Sequence, residues 1–127
     1  MTGKILLINL FALCFFLAPA IAADLKDGDI IFQTSQSSQS LAIQKATHSN
    51  YSHIGIIFFR NGSPFVYEAA GRVQDTPLSA WIKRGKGETY VVKRLRNADR
   101  LLTGKGTAKL RQIAESYRGK PYDPYFQ

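Results

Sequence analysis

An α+β fold built around an antiparallel sheet is predicted for this 127-residue chain by three observations. The elements read in the order strand, short helix, hairpin, short helix, strand, helix, which is the pattern of an α+β layer plan. Asn61-Gly62, set between two apolar runs, is the strongest hairpin signal in the sequence. No repeat of tens of residues and no Gly/Ser linker divides the chain, so a single small domain with a modest core is expected.

Residues 24–29 form a polar lead-in, and Gly28 to Gln33 reads as a short apolar strand with a turn-like entry. The Ser/Gln-rich stretch from Thr34 to Ser40 suits a helix N-terminus, and Leu41 to Thr47 is a short helix before the loop His48 to Ser52. Ile54 to Phe59 is the strongest strand. Phe65 to Ala69 returns from the hairpin, with Pro64 near its start, where a missing N–H is tolerated.

Thr76-Pro77 reads as an N-cap with proline at the first helical position, opening a helix from Leu78 to Arg84 that stops at Gly85. Glu88 to Leu95 is a further strand, and Arg96 to Gly106 reads as a loop. From Thr107 a final helix begins, with Leu110, Ile113, Ala114 and Tyr117 on one face, and it stops near Gly119 and Pro121.

Residues 1–22 are set apart from the fold. Lys4, the apolar run Ile5 to Leu17 and the small-residue site Ala20-Ile21-Ala22 have the make-up of a cleaved signal peptide, so a domain over residues 23–127 and a periplasmic or secreted location are expected. Asn9 and Pro19 interrupt the run, which argues against a membrane anchor. Cys14 is the only cysteine in the sequence and leaves with that segment, so the domain has neither a disulfide framework nor a thiol.

The formal net charge is +8; a solvated basic surface is the plainer reading, and outside the cytosol an anionic membrane surface or wall polymer is the partner such a charge would suit. Nucleic acid is excluded as a partner, because Lys93, Arg94 and Arg96 on a strand point to both faces and form no single basic stripe. No cofactor is expected. No metal site is expected either, since His48 and His53 are separated by a loop and no His-Glu-x-x-His pattern occurs.

The chemistry centres on His53, a titratable ring at the mouth of an apolar strand. A two-residue loop at Asn61-Gly62 pairs Arg60 with Ser63, and counting back places Glu68 on the same face as His53. The two are then diagonal neighbours, about 7–8 Å apart at Cβ and within reach of each other's side chains. A carboxylate accepting from one imidazole nitrogen would orient the ring and leave the other nitrogen to act as a base. A strand-end histidine bonded to a loop is the plainer alternative. Ser49 and Ser52 flank His53, but no Gly-x-Ser-x-Gly elbow or Ser-x-x-Lys pair supports a serine nucleophile.

Five segments together resemble the YiiX/YebB-like permuted papain-like amidases, circularly permuted relatives of NlpC-type cell-wall cysteine peptidases. They are Gly28 to Gln33, the Ser/Gln-rich run into Ala46-Thr47, Tyr51-Ser52-His53-Ile54-Gly55-Ile56, Glu68-Ala69 and Thr76-Pro77-Leu78. The resemblance implies a small permuted papain-like fold, with His53 as general base, Glu68 as its orienting carboxylate, and Tyr51 and Ser52 in support. It also implies hydrolysis of an amide or ester through a thioester, on a peptidoglycan peptide or an acylated lipid.

The family's cysteine, in a Cys-Ser-Glu-like segment, follows a stretch similar to Gly119 to Phe126, and this chain stops before it. The fold is therefore expected to be incomplete at its C-terminus, and the chain as it stands to be inactive. A non-catalytic envelope module that holds a wall peptide or lipid in the same cleft is the competing expectation.

Overall fold

The structure, a computed structural model, describes residues 24–123. The expected signal segment and the last four residues lie outside the described residues. The elements run β1 (Ile30–Ser35), α1 (Ser40–Thr47), β2 (His53–Arg60), β3 (Ser63–Ala70), β4 (Arg72–Pro77), α2 (Leu78–Arg84), β5 (Gly85–Lys93), α3 (Ala98–Leu101) and α4 (Gly104–Tyr117). The strands form one sheet in the order β4-β3-β2-β1-β5, and every neighbouring pair is antiparallel.

The hairpin is the one the sequence dictates. Asn61 and Gly62 both have positive φ, 49° and 77°, as a type I′ turn requires, and Arg60 pairs with Ser63. From that register, Ile57 and Val66 face the same side as Ile31 on β1, and α2 closes over them. Ile31, Ile57, Val66, Leu78 and Trp81 form the buried core, with Phe59, Ile82, Tyr90 and Val92 packed around it.

Gly55 is required at the β2–β3 contact. A Cβ there would lie 2.2 Å from Val66 Cγ1 and 3.1 Å from the Tyr67 carbonyl oxygen. Val66 is fully buried and has nowhere to go. Gly55→Ala is therefore expected to cost about 1–3 kcal/mol through overpacking, read as a lower urea midpoint with an unchanged m-value.

The opposite face is held by polar contacts to α4. Arg111 donates to Asp27 Oδ1 and Oδ2 at 2.8 and 2.7 Å and to the Phe59 carbonyl at 2.9 Å, and its guanidinium lies 4.7 Å from the Phe58 ring centroid. Tyr67 donates to the Ala114 carbonyl at 2.7 Å. Of the helix face expected to pack, Ala114 is buried, whereas Ile113 and Tyr117 are exposed; Tyr117 instead meets the Lys120 ammonium.

Arg94, part of the basic run, is taken up internally. Its Nε and Nη2 donate to the buried Asp29 at 2.7 and 2.8 Å. Burial pushes the Asp29 carboxyl up, but the Arg94 hydrogen bonds, the Lys26 backbone N–H and the nearby positive charge outweigh it and hold the carboxyl below its usual range.

The structure adds a strand at Arg72–Pro77 and a short helix after β5 that the sequence pattern does not show. Residues 72–77 are a strand: Gly71, at φ 71°, reverses the chain directly after β3, and β4 pairs with β3 from Ala70↔Arg72 to Phe65↔Pro77. Its polar sequence hid it, because Gln74 pairs with Glu68 and Thr76 serves a buried carboxylate rather than an apolar core. Thr76 accordingly is not the cap of α2, whose N-cap is Pro77, without a side-chain hydrogen bond. The stretch expected to be a loop after β5 contains the short α3, and α4 begins at Gly104 rather than Thr107.

Beyond α4 the chain runs along the outer edge of β4. Gly119 N–H bonds the Val73 carbonyl at 2.9 Å, Val73 N–H the Lys120 carbonyl at 2.9 Å, and Tyr122 N–H the Gly71 carbonyl at 3.0 Å. This edge pairing brings Tyr122 back to the end of the sheet where His53 lies.

Candidate active site

His53 opens β2 and is paired with Gln33 of β1, while Glu68 comes from β3 on the other side. Pleat parity puts all three side chains on the α2 face. His53 Nε2 lies 2.6 Å from Glu68 Oε2, so the contact inferred from hairpin parity is made.

Glu68 is enclosed on every side, with its side chain 0% exposed. Each carboxylate oxygen receives two donors. Oε2 accepts from His53 and from Trp81 Nε1 at 3.0 Å; Oε1 accepts from Thr76 Oγ1 at 2.5 Å and from Arg84 Nη2. Burial raises the Glu68 carboxyl, but the hydrogen bonds from His53 and Thr76 and the charge of Arg84 prevail and hold it below the usual carboxylate range. It is ionised at neutral pH and can only accept.

That fixes the histidine. With Nε2–H donated to Glu68, the neutral ring carries its lone pair on Nδ1, which has no hydrogen-bond partner among the described residues. The ring stacks on Trp81, 5.9 Å between centroids at 26°, so one face is also held by the core. The His53 side chain remains 22% exposed and lines a cleft of about 390 Å³.

Ser52 and Tyr51 differ in what they do. Ser52 Oγ accepts the Ser35 N–H at 2.8 Å and bonds Ser40 Oγ at 2.6 Å, and its N–H donates to the Gln33 carbonyl at 3.0 Å. It thereby joins the start of β2 to β1 and α1 at the cleft wall. Tyr51 packs instead against Phe32, 6.1 Å between ring centroids, and none of the four hydrogen bonds to Glu68 comes from it. His48 is exposed and forms the left-handed C-cap of α1, at φ 51°.

Thr76, Trp81 and Arg84 were not read from sequence as site residues. Thr76-Pro77 resembles a helix start, and Trp81 and Arg84 carry no spacing signal toward Glu68. The available clue was Glu68 itself, the one carboxylate on an otherwise largely apolar strand, which needs donors from elsewhere once it is buried.

The described residues form an antiparallel sheet that presents a histidine and a buried glutamate from adjacent strands, an α+β arrangement of the kind expected for a permuted papain-like fold. The chain belongs to the permuted papain-like amidase enzymes of the YaeF/YiiX family, whose model matches residues 24–127. It is 50% identical over 105 residues to the uncharacterized protein YiiX of Escherichia coli strain K12, an alignment that covers 83% of this chain and 50% of that one. It also matches a crystal structure described as metalloprotein YiiX from Escherichia coli O157:H7, with 52% identity and a TM-score of 0.72, over 77% of this chain and 53% of that chain. The chain thus spans about half the length of these relatives.

Among the described residues no three His, Cys, Asp or Glu side chains are grouped so as to hold a metal ion. Glu68, with both oxygens already occupied by four donors, is not available as a ligand. The described site therefore does not fit a metal.

Proposed function

We propose that His53 and Glu68 are the base and its orienter in an exported cysteine amidase or esterase, with the nucleophile supplied by the part of the family's length that this chain does not span. The observation that supports this most is the 2.6 Å His53–Glu68 contact, made by a carboxylate that is itself fully held.

In this reading Nδ1 takes the thiol proton, and the resulting imidazolium is stabilised by Glu68 and stabilises the thiolate in turn. The thiolate attacks the carbonyl carbon, the imidazolium returns its proton to the leaving amine or alcohol, and water then hydrolyses the thioester with His53 again as base. The substrates are wall peptides or acylated lipids. Residues 23–127 alone, which contain no cysteine, carry out none of these steps. Amide or ester turnover by the family-length protein, with and without the His53 imidazole, tests the reading; equal rates would sink it.

Residues 1–22 direct export in this proposal, supported by Lys4, the apolar run and the Ala20-Ile21-Ala22 site. The expected product is an envelope protein whose N-terminus is Ala23, found by intact mass. A cytoplasmic protein retaining Met1 would refute it.

A further inference from the structure

The cleft beside His53 has an uneven charge distribution. Its walls are mostly neutral hydrogen-bonding groups, among them Gln33, Ser35, Gln39 and Ser52, and among the described residues no carboxylate lines it. Arg84 is the one fixed cation in the lining, and its side chain is 45% exposed. Lys83 and Lys86 flank it, exposed and without ion pairs among the described residues.

Arg84 is also unusually well placed for an exposed arginine. One nitrogen, Nη2, is tied to the buried Glu68, and the other guanidinium N–H groups have no partner among the described residues. Its backbone is pinned to the end of β1 and the residue after it: Ser35 pairs with Gly85, and Gln36 Nε2 donates to the Arg84 carbonyl at 3.2 Å. The approach there is so close that a Cβ on Gly85 would lie 2.2 Å from Gln33 Oε1. The fork is therefore held in place before any ligand arrives, which reduces the ordering cost of binding.

We propose that the cleft takes a substrate bearing an oxyanion, a carboxylate or a phosphate, and that Arg84 is the group that binds it. This rests on reading His53 as the base, since it places the anion beside the scissile bond. A planar guanidinium with spare donors is matched to such an anion, and charge-assisted bonds of this kind are the strong ones. The neutral serine and glutamine walls add donors without repelling it.

The test is direct binding, measured by calorimetry with the family-length protein carrying His53→Gln so that no probe is consumed. One pair of probes is an N-acetylated dipeptide with a free C-terminal carboxylate and its carboxamide. The other is a monomeric short-chain phosphatidate and the matching diacylglycerol. In at least one pair the anion should bind about 10-fold tighter, and the arm showing it tells a peptide from a lipid substrate. Arg84→Gln should abolish the preference, and Arg84→Lys should restore part of it.

Equal binding within both pairs would overturn the proposal. So would a preference that survives Arg84→Gln, or a loss of affinity for charged and neutral probes alike, which is what a role confined to holding Glu68 would produce. Failure of His53 as base is a separate outcome, seen as unchanged turnover with His53→Gln and leaving the binding ratios as they are.

Discussion

Replacing His53 by glutamine in the family-length protein is expected to lower kcat/KM for an amide or ester substrate by about 10³-fold, the usual scale for removing a positioned general base. The loss should fall mainly on kcat, because the proton transfer it removes occurs in the transition state. Reaction of the nucleophilic thiol with iodoacetamide should slow in parallel, since no imidazolium remains to stabilise the thiolate. Stability should change by no more than about 1 kcal/mol, because the glutamine amide can still donate toward Glu68 Oε2. A variant with wild-type turnover and the same alkylation rate would remove His53 from the mechanism.

Glu68→Ala should damage both activity and stability. Four donors converge on this carboxylate, and its removal leaves the buried Trp81 N–H and the half-buried Thr76 hydroxyl without their acceptor. The half-exposed Arg84 guanidinium can recover water, which keeps the loss below that of a fully buried ion pair. About 2–4 kcal/mol is expected, read as a lower urea midpoint at neutral pH.

The pH dependence has a definite sign. The native Glu68 carboxyl lies below its ordinary value, so its contribution is present above the unfolded pKa and is lost as pH falls through the native one. The stability gap between wild type and Glu68→Ala should therefore narrow as pH falls below about 4. A gap that is constant with pH would mean that the carboxylate's charge is not what the site holds. Catalysis should fall with the variant as well, because the ring loses the acceptor that selects its tautomer.

How much of this could be read in advance depended on distance along the chain. The His53–Glu68 contact was legible because it follows from a short-range rule: a two-residue Asn-Gly turn sets one register, and pleat parity then assigns every side chain on both strands to a face. β1, β2, β3 and α2 were legible as apolar runs between turn signals. β4 was not, because hydrophobic patterning detects strands that face an apolar core, and the inward side of β4 faces a carboxylate. Ile113 and Tyr117 misled for the opposite reason, since periodicity marks an apolar stripe without specifying that a neighbour covers it.

By itself, then, the sequence determined an α+β chain with one dominant hairpin, a histidine and a glutamate sharing a face, and a family likeness along residues 24–127. Only the tertiary structure decided what holds that glutamate charged, which nitrogen of His53 faces Glu68, and that Arg84 stands in the cleft with donors to spare. The first set rests on backbone geometry repeated over two to four residues. The second depends on Thr76, Trp81 and Arg84 arriving from other elements at one buried point, where the balance of burial against hydrogen bonding exists only once the sheet and α2 have closed over it.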